Sequence, residues 1–258
     1  MNEFLLIGLT ACAASLLTFF SGFGLGTLLT PVFMLCGFDL QISIALTAVV
    51  HLLNNLFKLL LTGKHFNKEV VLKFGIPAIA GAFIGSFILG NVGEPTLLYS
   101  GFIGSTIVQV EFFKLIIAII MIVFALMEII PALNFSAEKK WLPFGGLLSG
   151  FFGGLTGHQG ALRSAFLMKL GLTKESFIAS GITIACMIDI SRLSVYADKF
   201  AISAWQSQWQ LLLTATLSAF IGAIAGQQLL KKMTIRILHL SVSVLIILFS
   251  FALALGLI

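Results

Sequence analysis

Several residues able to bind or move charge lie in stretches otherwise made of hydrocarbon-compatible side chains. Between residues 42 and 62, His51, Asn54, Asn55 and Lys58 recur at i, i+3, i+4 and i+7, which places all four on one face of a helix. A stripe of that polarity cannot face lipid. An imidazole can titrate near neutral pH, which makes His51 a candidate for proton coupling, whereas Lys58, close to the basic segment that follows, reads as a side chain snorkelling to the interface. Residues 177–196 carry Thr183, Asp189 and Arg192. The i, i+3 spacing lets Asp189 and Arg192 form a structural ion pair, which lowers the cost of both charges; Asp189 is the second proton-coupling candidate. The third group is His158, Gln159 and Arg163, inside SGFFGGLTGHQGALRSAF at residues 149–166. A charge at the bilayer centre costs ~3 kcal/mol on insertion scales and marks a functional residue by default. Snorkelling toward Lys169 is the alternative reading for Arg163.

Polar groups at such depth need elements that expose backbone and leave room for a ligand. Gly146, Gly150, Gly153, Gly154, Gly157 and Gly160 interrupt the helical pattern around the third group, each weakening a helix by roughly 1 kcal/mol relative to Ala. Backbone this irregular survives at membrane depth only when buried in protein or lining a cavity. An earlier stretch, SGFGLGTLLTP at residues 21–31, opens with the same Ser-Gly-Phe. Two Gly-broken apolar segments in corresponding parts of two halves point to a transporter's substrate site. The tips, residues 22–26 and 153–160, are expected to meet near the midplane, where helix N-termini offer free N–H groups and positive dipole ends to an anion. The expected substrate-binding set is Gly22, Gly24, Gly26, Asn54, Asn55, Gly157, His158, Gln159 and Arg163. Gly81, Gly85, Gly222 and Gly226, by contrast, read as small-residue helix packing.

Apolar residues make up 59% of the 258, charged residues 10%, and the mean hydropathy is +1.11, which places the chain among polytopic membrane proteins. Long continuous apolar runs exclude a β-barrel. The net charge of +5 comes from short loops, where topology explains it, and implies no nucleic acid. Cys12, Cys36 and Cys186 fall inside apolar runs without CxxC spacing, so neither disulfide nor metal is implied, and no cofactor is called for. The N-terminus lacks the basic region and cleavage site of a signal peptide. No loop is long enough for a nucleotide-binding domain.

The order along the chain is a long Gly-broken segment (4–35), spans at 42–62, 75–89 and 112–130, and a mixed linker at 91–110. A second broken segment (142–170) and spans at 177–196, 210–230 and 237–258 follow. Setting Gly37-Phe38 on Gly171-Leu172 puts Ala45 on Ala179, Asn55 on Asp189 and Lys58 on Arg192. The expectation is an all-α polytopic membrane protein of two repeats, residues 1–133 and 141–258, joined by a cytoplasmic hinge at 134–140. If both broken segments crossed fully, the flanking Lys and Arg would divide six and six between the faces. If the second instead returned as a hairpin, the division becomes ten to two, with only Lys114 and Lys199 outside; for the first segment, only the repeat argues for the same shape. The positive-inside rule prefers the second arrangement, and the repeats are then inverted, each a Gly-broken hairpin plus three long transmembrane helices. At about 14 residues per arm, each arm covers roughly 20 Å of a ~30 Å core.

Ser21-Gly22-Phe23-Gly24-Leu25-Gly26 with Pro31, Gly37 and Ala45-Leu46-Thr47 resembles the TauE/SafE sulfite exporter family. So does the second copy, Ser149-Gly150-Phe151-Phe152-Gly153-Gly154 with Gly171 and Ala179-Ser180-Gly181. The resemblance covers essentially the whole chain. It implies a multi-pass transporter in the plasma membrane of a bacterium or archaeon, moving a small anion such as sulfite, an organosulfonate or a related organic acid, outward rather than inward. Alternating access would come from rocking one repeat against the other. The partners expected are that anion and the bilayer; a homodimer is compatible with such a chain. The second copy departs from the family pattern at Gly157-His158-Gln159-Gly160 and Arg163-Ser164-Ala165, which bears on the substrate more than the fold. An anion channel is the alternative. An intramembrane enzyme is a third reading, and no HExxH, GxSxG or paired intramembrane aspartates speak for it.

Overall fold

The computed structural model describes residues 2–21, 24–62, 65–103, 106–130, 138–168, 170–229 and 235–258. Gly22, Lys64, Lys169, Lys231, Lys232 and residues 131–137, most of the expected hinge, lie outside that set. The chain is a helical membrane protein. Its helices are α1 (Glu3–Ser21), α2 (Gly26–Leu35), α3 (Leu40–Thr62), α4 (Lys68–Gly90), α5 (Phe112–Ile129), α6 (Leu142–Thr156), α7 (Gly160–Leu167), α8 (Lys174–Tyr196), α9 (Ile202–Ser207), α10 (Trp209–Leu229) and α11 (Ile235–Ala254). A π-helical turn, Ala197–Ala201, joins α8 to α9. Four described helices are long and apolar enough to cross a bilayer: Leu40–Thr62, Lys68–Gly90, Lys174–Ser207 and Trp209–Gln228. Large apolar side chains such as Leu60, Phe83, Leu217 and Ile221 are exposed on their outer faces, as lipid contact requires.

Local chemistry sets the boundaries. Asn67 caps α4 by accepting from the Val70 amide, and Thr173 caps α8 by accepting from Ser176. Gly37, Gly157 and Gly171 take positive φ of 90°, 81° and 67° where helices end, a conformation glycine adopts without a Cβ penalty. At the offset that lays Gly37 on Gly171, Gly26 falls on Gly160 and Leu40–Thr62 falls on Lys174–Tyr196. These are the first residues of α2 and α7 and the bounds of α3 and α8; α3 and α8 are each 23 residues long.

Glycine contacts give the direction of each hairpin. Along α6, Gly146, Gly150 and Gly154 sit on the carbonyls of Phe74, Ala78 and Ala82 in α4, while Gly81 and Gly85 of α4 sit on the carbonyls of Leu147 and Phe151. The two helices therefore run parallel with backbones touching. α7 then turns back: Phe166 covers Gly145 and stacks edge-on against Phe74 at 6.2 Å, near the start of α4. On the other side, Gly8 meets Ser218, Gly222 sits on the Cys12 carbonyl and Gly226 on that of Leu16, so α1 runs parallel to α10. α2 returns to where Gln41 donates to the Leu89 carbonyl at 2.8 Å, at the far end of α4. Glu69, in the first turn of α4, lies 4.0 Å from Lys139, and Gly90, in its last turn, packs on Lys199. The segments holding Lys68 and Lys199 are thus at opposite ends of the bundle.

Four expectations need correcting. The Ser-Gly-Phe tripeptides are not equivalent: Ser21 ends α1, whereas Ser149–Phe151 lies mid-helix in α6. Gly153 and Gly154 belong to α6 and not to a tip, and the arms are unequal, 19 and 10 residues for α1 and α2, 15 and 8 for α6 and α7. The linker at 91–110 contains an antiparallel hairpin, β1 (Leu97–Ile103) with β2 (Thr106–Glu111), pairing Tyr99 with Val110 and Gly101 with Val108. Its Leu, Tyr, Val and Ile content and alternation suit a strand.

Backbone contact between α4 and α6 leaves no volume for a methyl group. Gly150→Ala is expected to lower the thermal unfolding midpoint in detergent, because its Cβ would overlap the Ala78 carbonyl and overpacking costs about 1–3 kcal/mol. Gly93→Ala, with nothing within 4 Å of the new Cβ, should leave the midpoint unchanged. An equal response of both variants would contradict this packing.

Candidate functional site

Asp189, fully buried on α8, is the centre of the polar interior. Its Oδ1 accepts from Arg192 Nε at 3.0 Å, and Arg192 Nη2 lies 2.9 Å from the same oxygen. Gln159 Nε2 donates to Oδ1 at 3.1 Å, and Oδ2 is 2.6 Å from His51 Nδ1. With Nδ1–H given to the carboxylate, His51 Nε2 accepts from Asn55 Nδ2 at 3.3 Å. Arg163 Nη1 donates to Gln159 Oε1 at 3.4 Å, which links the second hairpin to the same carboxylate. The charges at i and i+3 on α8 meet because that spacing stacks them on one face.

The hairpin tips close around this network. A Cβ on Gly24 would stand 2.7 Å from His51 Nε2, and one on Gly26 would stand 3.5 Å from the Gly157 carbonyl oxygen, so the tips touch. The last turn of α6 exposes carbonyls that an α-helix cannot satisfy itself. Arg192 Nη1 donates to Gly153 O at 3.3 Å and the Tyr196 hydroxyl donates to Gly154 O. A cation at a helix C-terminus also favours the local dipole. His158 turns back on its own tip, with Nδ1 2.9 Å from the Thr156 carbonyl.

Next to the network is a cavity of about 30 Å³, space for two or three waters at ~10–15 Å³ each. It extends from His51 at mid-helix toward Leu167 and Phe177, at the end of the bundle that carries Lys68 and Lys139. Its polar wall is Thr18, His51, Asn55, Lys58, Arg163 and Ser164, with no carboxylate among the described lining residues. Lys58 is 3% exposed. Its Nζ donates to the Ser15 carbonyl at 3.4 Å and lies 5.4 Å from the centre of the Phe19 ring. Asn54, with its amide turned to satisfy both ends, offers its oxygen to Lys58 at 3.3 Å and donates to Ala219 O at 3.3 Å.

The structure brings Asn55 and Arg163 to the cavity wall and sets Gly24, Gly26 and Gly157 behind it. Gln159 sits in the layer between Arg163 and Asp189. Asn54 faces Ser15 and Ala219, His158 does not reach the cavity, and Gly22 lies outside the described residues. Lys58 is the correction: it does not snorkel but turns inward. The stripe that carries His51 and Asn55 already contained it. Thr18 and Ser164 carried only weak signals, the first on α1 before the tip and the second beside Arg163.

Removing the Asp189 carboxylate would leave Arg192 uncompensated. Asp189→Asn is expected to destabilise the protein by about 3–5 kcal/mol, read as a lowered unfolding midpoint in detergent. Asp189→Asn with Arg192→Met should recover part of that loss. A double variant no more stable than the single one would show that Asp189 does not offset Arg192.

No individually curated protein matches the chain. Residues 7–253 match the family described as sulfite exporter TauE/SafE, nearly the whole length, and the chain belongs to that family of membrane transporters.

Proposed function

We propose that this protein carries a small oxyanion of the sulfite or sulfonate kind out across the plasma membrane, binding it in the cavity between α1, α3, α7 and α8. The observation that carries the reading is the wall itself. Two buried cations, Lys58 and Arg163, stand with the donors Asn55, Thr18 and Ser164, and no described carboxylate lines the cavity. A site so built repels cations and pays for desolvating an anion with charge-assisted hydrogen bonds. Outward direction rests on the family's description.

Alternating access between inverted repeats, 1–133 and 141–258 about a cytoplasmic hinge at 134–140, accounts for several features together. α4 against α6 is matched by α10 against α1, and α3 faces α8. The first hairpin returns to the end that holds Lys199, the second to the end that holds Lys68. A cavity of about 30 Å³ passes no hydrated anion, so its walls must part for each transport event. The 2.6 Å contact between His51 and Asp189 supplies a titratable pair against the site, which supports proton coupling.

Transport is tested by counterflow of labelled sulfite into proteoliposomes, with reversal-potential measurements separating a carrier from a channel. Arg163→Lys keeps charge but loses the planar fork that matches an oxyanion with two hydrogen bonds. Hydrogen bonds to charged groups contribute about 1.5–3 kcal/mol, so apparent affinity should fall roughly ten- to hundredfold. Unchanged affinity on direct binding would remove Arg163 from the site.

The inverted arrangement has its own measurement. Single cysteines at Lys68 and Lys199 should react with an impermeant thiol reagent from opposite sides of the membrane, Lys68 from the cytoplasm. Labelling from one side only would reject the inverted repeats.

A further inference from the structure

The charged side chains buried among the described residues are Lys58, Arg163, Arg192 and Asp189. With neutral imidazoles, these four described side chains are three cations and one carboxylate, an excess of two positive charges among them. The imbalance arises at one pair of positions. On α8, Asp189 stands three residues before Arg192 and lies 2.9 Å from it. On α3, the residues at the same repeat offset are Asn55 and Lys58, with the same i, i+3 spacing but an amide in place of the carboxylate. Lys58 accordingly contacts only uncharged groups: the Ser15 carbonyl, the Asn54 amide and the Phe19 ring. No described carboxylate lies within ion-pair distance of it. A buried ammonium held this way is costly unless an anion completes its surroundings.

We infer that the cavity selects dianions over monoanions of the same shape, and that Lys58, left unpaired by Asn55, is the residue that sets this preference. The inference rests on the anion-binding reading of the cavity and narrows it. Two cations lining the cavity match a doubly charged oxyanion such as sulfite in its fully deprotonated form. An organosulfonate, which carries one negative charge on its sulfonate group, would leave one buried cation uncompensated. Arg163, tied through Gln159 to Asp189, positions the oxyanion; Lys58, on α3, contributes the second charge.

Sulfate and methanesulfonate test this directly, being tetrahedral, close in size, of fixed charge near pH 7.5, and different by one unit. Binding of each to the full-length protein in detergent is measured by calorimetry. Wild type is expected to bind sulfate at least tenfold more tightly than methanesulfonate. Lys58→Gln should reduce sulfate affinity and bring the two within about threefold. Asn55→Asp, which restores the carboxylate at i−3 and pairs Lys58 without removing it, should have the same effect in a protein that keeps all its cations. Lys58→Arg should retain the preference. Equal binding of both anions by wild type, or tighter binding of methanesulfonate, would overturn the inference while leaving an anion site in place. A sulfate preference that survives in both Lys58→Gln and Asn55→Asp would overturn the role of Lys58. If folded wild type binds neither anion, the cavity is not an anion site and the inference falls with it.

Discussion

Among the described residues, the polar interior is arranged around one buried carboxylate, Asp189. Taking an ion out of water costs several kcal/mol even after relaxation, so a chain that buries Lys58, Arg163, Arg192 and Asp189 together must satisfy each. Asp189 does so for three elements at once. It holds Arg192 on its own helix, His51 on α3 and Gln159 at the second tip. Those bonds fix where the tip can sit, and the tip in turn exposes the α6 carbonyls that Arg192 and Tyr196 bind. Charge compensation and backbone satisfaction are thus one network, and neither half of it is complete without the broken helix.

A broken helix in a membrane needs lateral support, and glycine provides it. Gly146, Gly150 and Gly154 let α6 lie directly on α4, and Gly222 and Gly226 let α10 lie on α1. Lipid tails give no hydrophobic drive for helix association, so close backbone approach and the dispersion contacts it allows must do the holding. The long spans α4 and α10 therefore act as splints for the outer arms of the two hairpins. The inner arms, α2 and α7, carry less of this support and pack instead on α3 and α8, next to the cavity.

Much of this was legible in the sequence because membrane burial makes polarity conspicuous. The His51–Asn55–Lys58 stripe, the Asp189–Arg192 spacing and the glycine breaks all announced buried elements, and the offset of Gly37 to Gly171 recurs in the bounds of α3 and α8. The errors have physical causes as well. Ser-Gly-Phe occurs twice, but depth along a helix is set by contacts and not by a tripeptide, so Ser21 falls at the end of α1 and Ser149–Phe151 within α6. Gly153 and Gly154 look like breakers, yet a glycine pressed against a neighbouring helix remains helical. Lys58 was read by its distance from the basic loop, whereas the direction of its side chain depends on Ser15 and Phe19 of α1, distant in sequence. The β-hairpin at Leu97–Glu111 went unread because a short alternating run between strong spans looks like linker.

Gly24 shows how closely the tip's composition follows from the chemistry beneath it. Its neighbour is the His51 ring, and a Cβ there would come within 2.7 Å of Nε2, the nitrogen that accepts from Asn55. Any side chain at 24 would push the ring out of line with Asp189 or lift the tip away from it. Gly26 is confined in the same way by Thr47 and the Gly157 carbonyl. These glycines therefore let the tip rest against the His51 ring and the opposite tip.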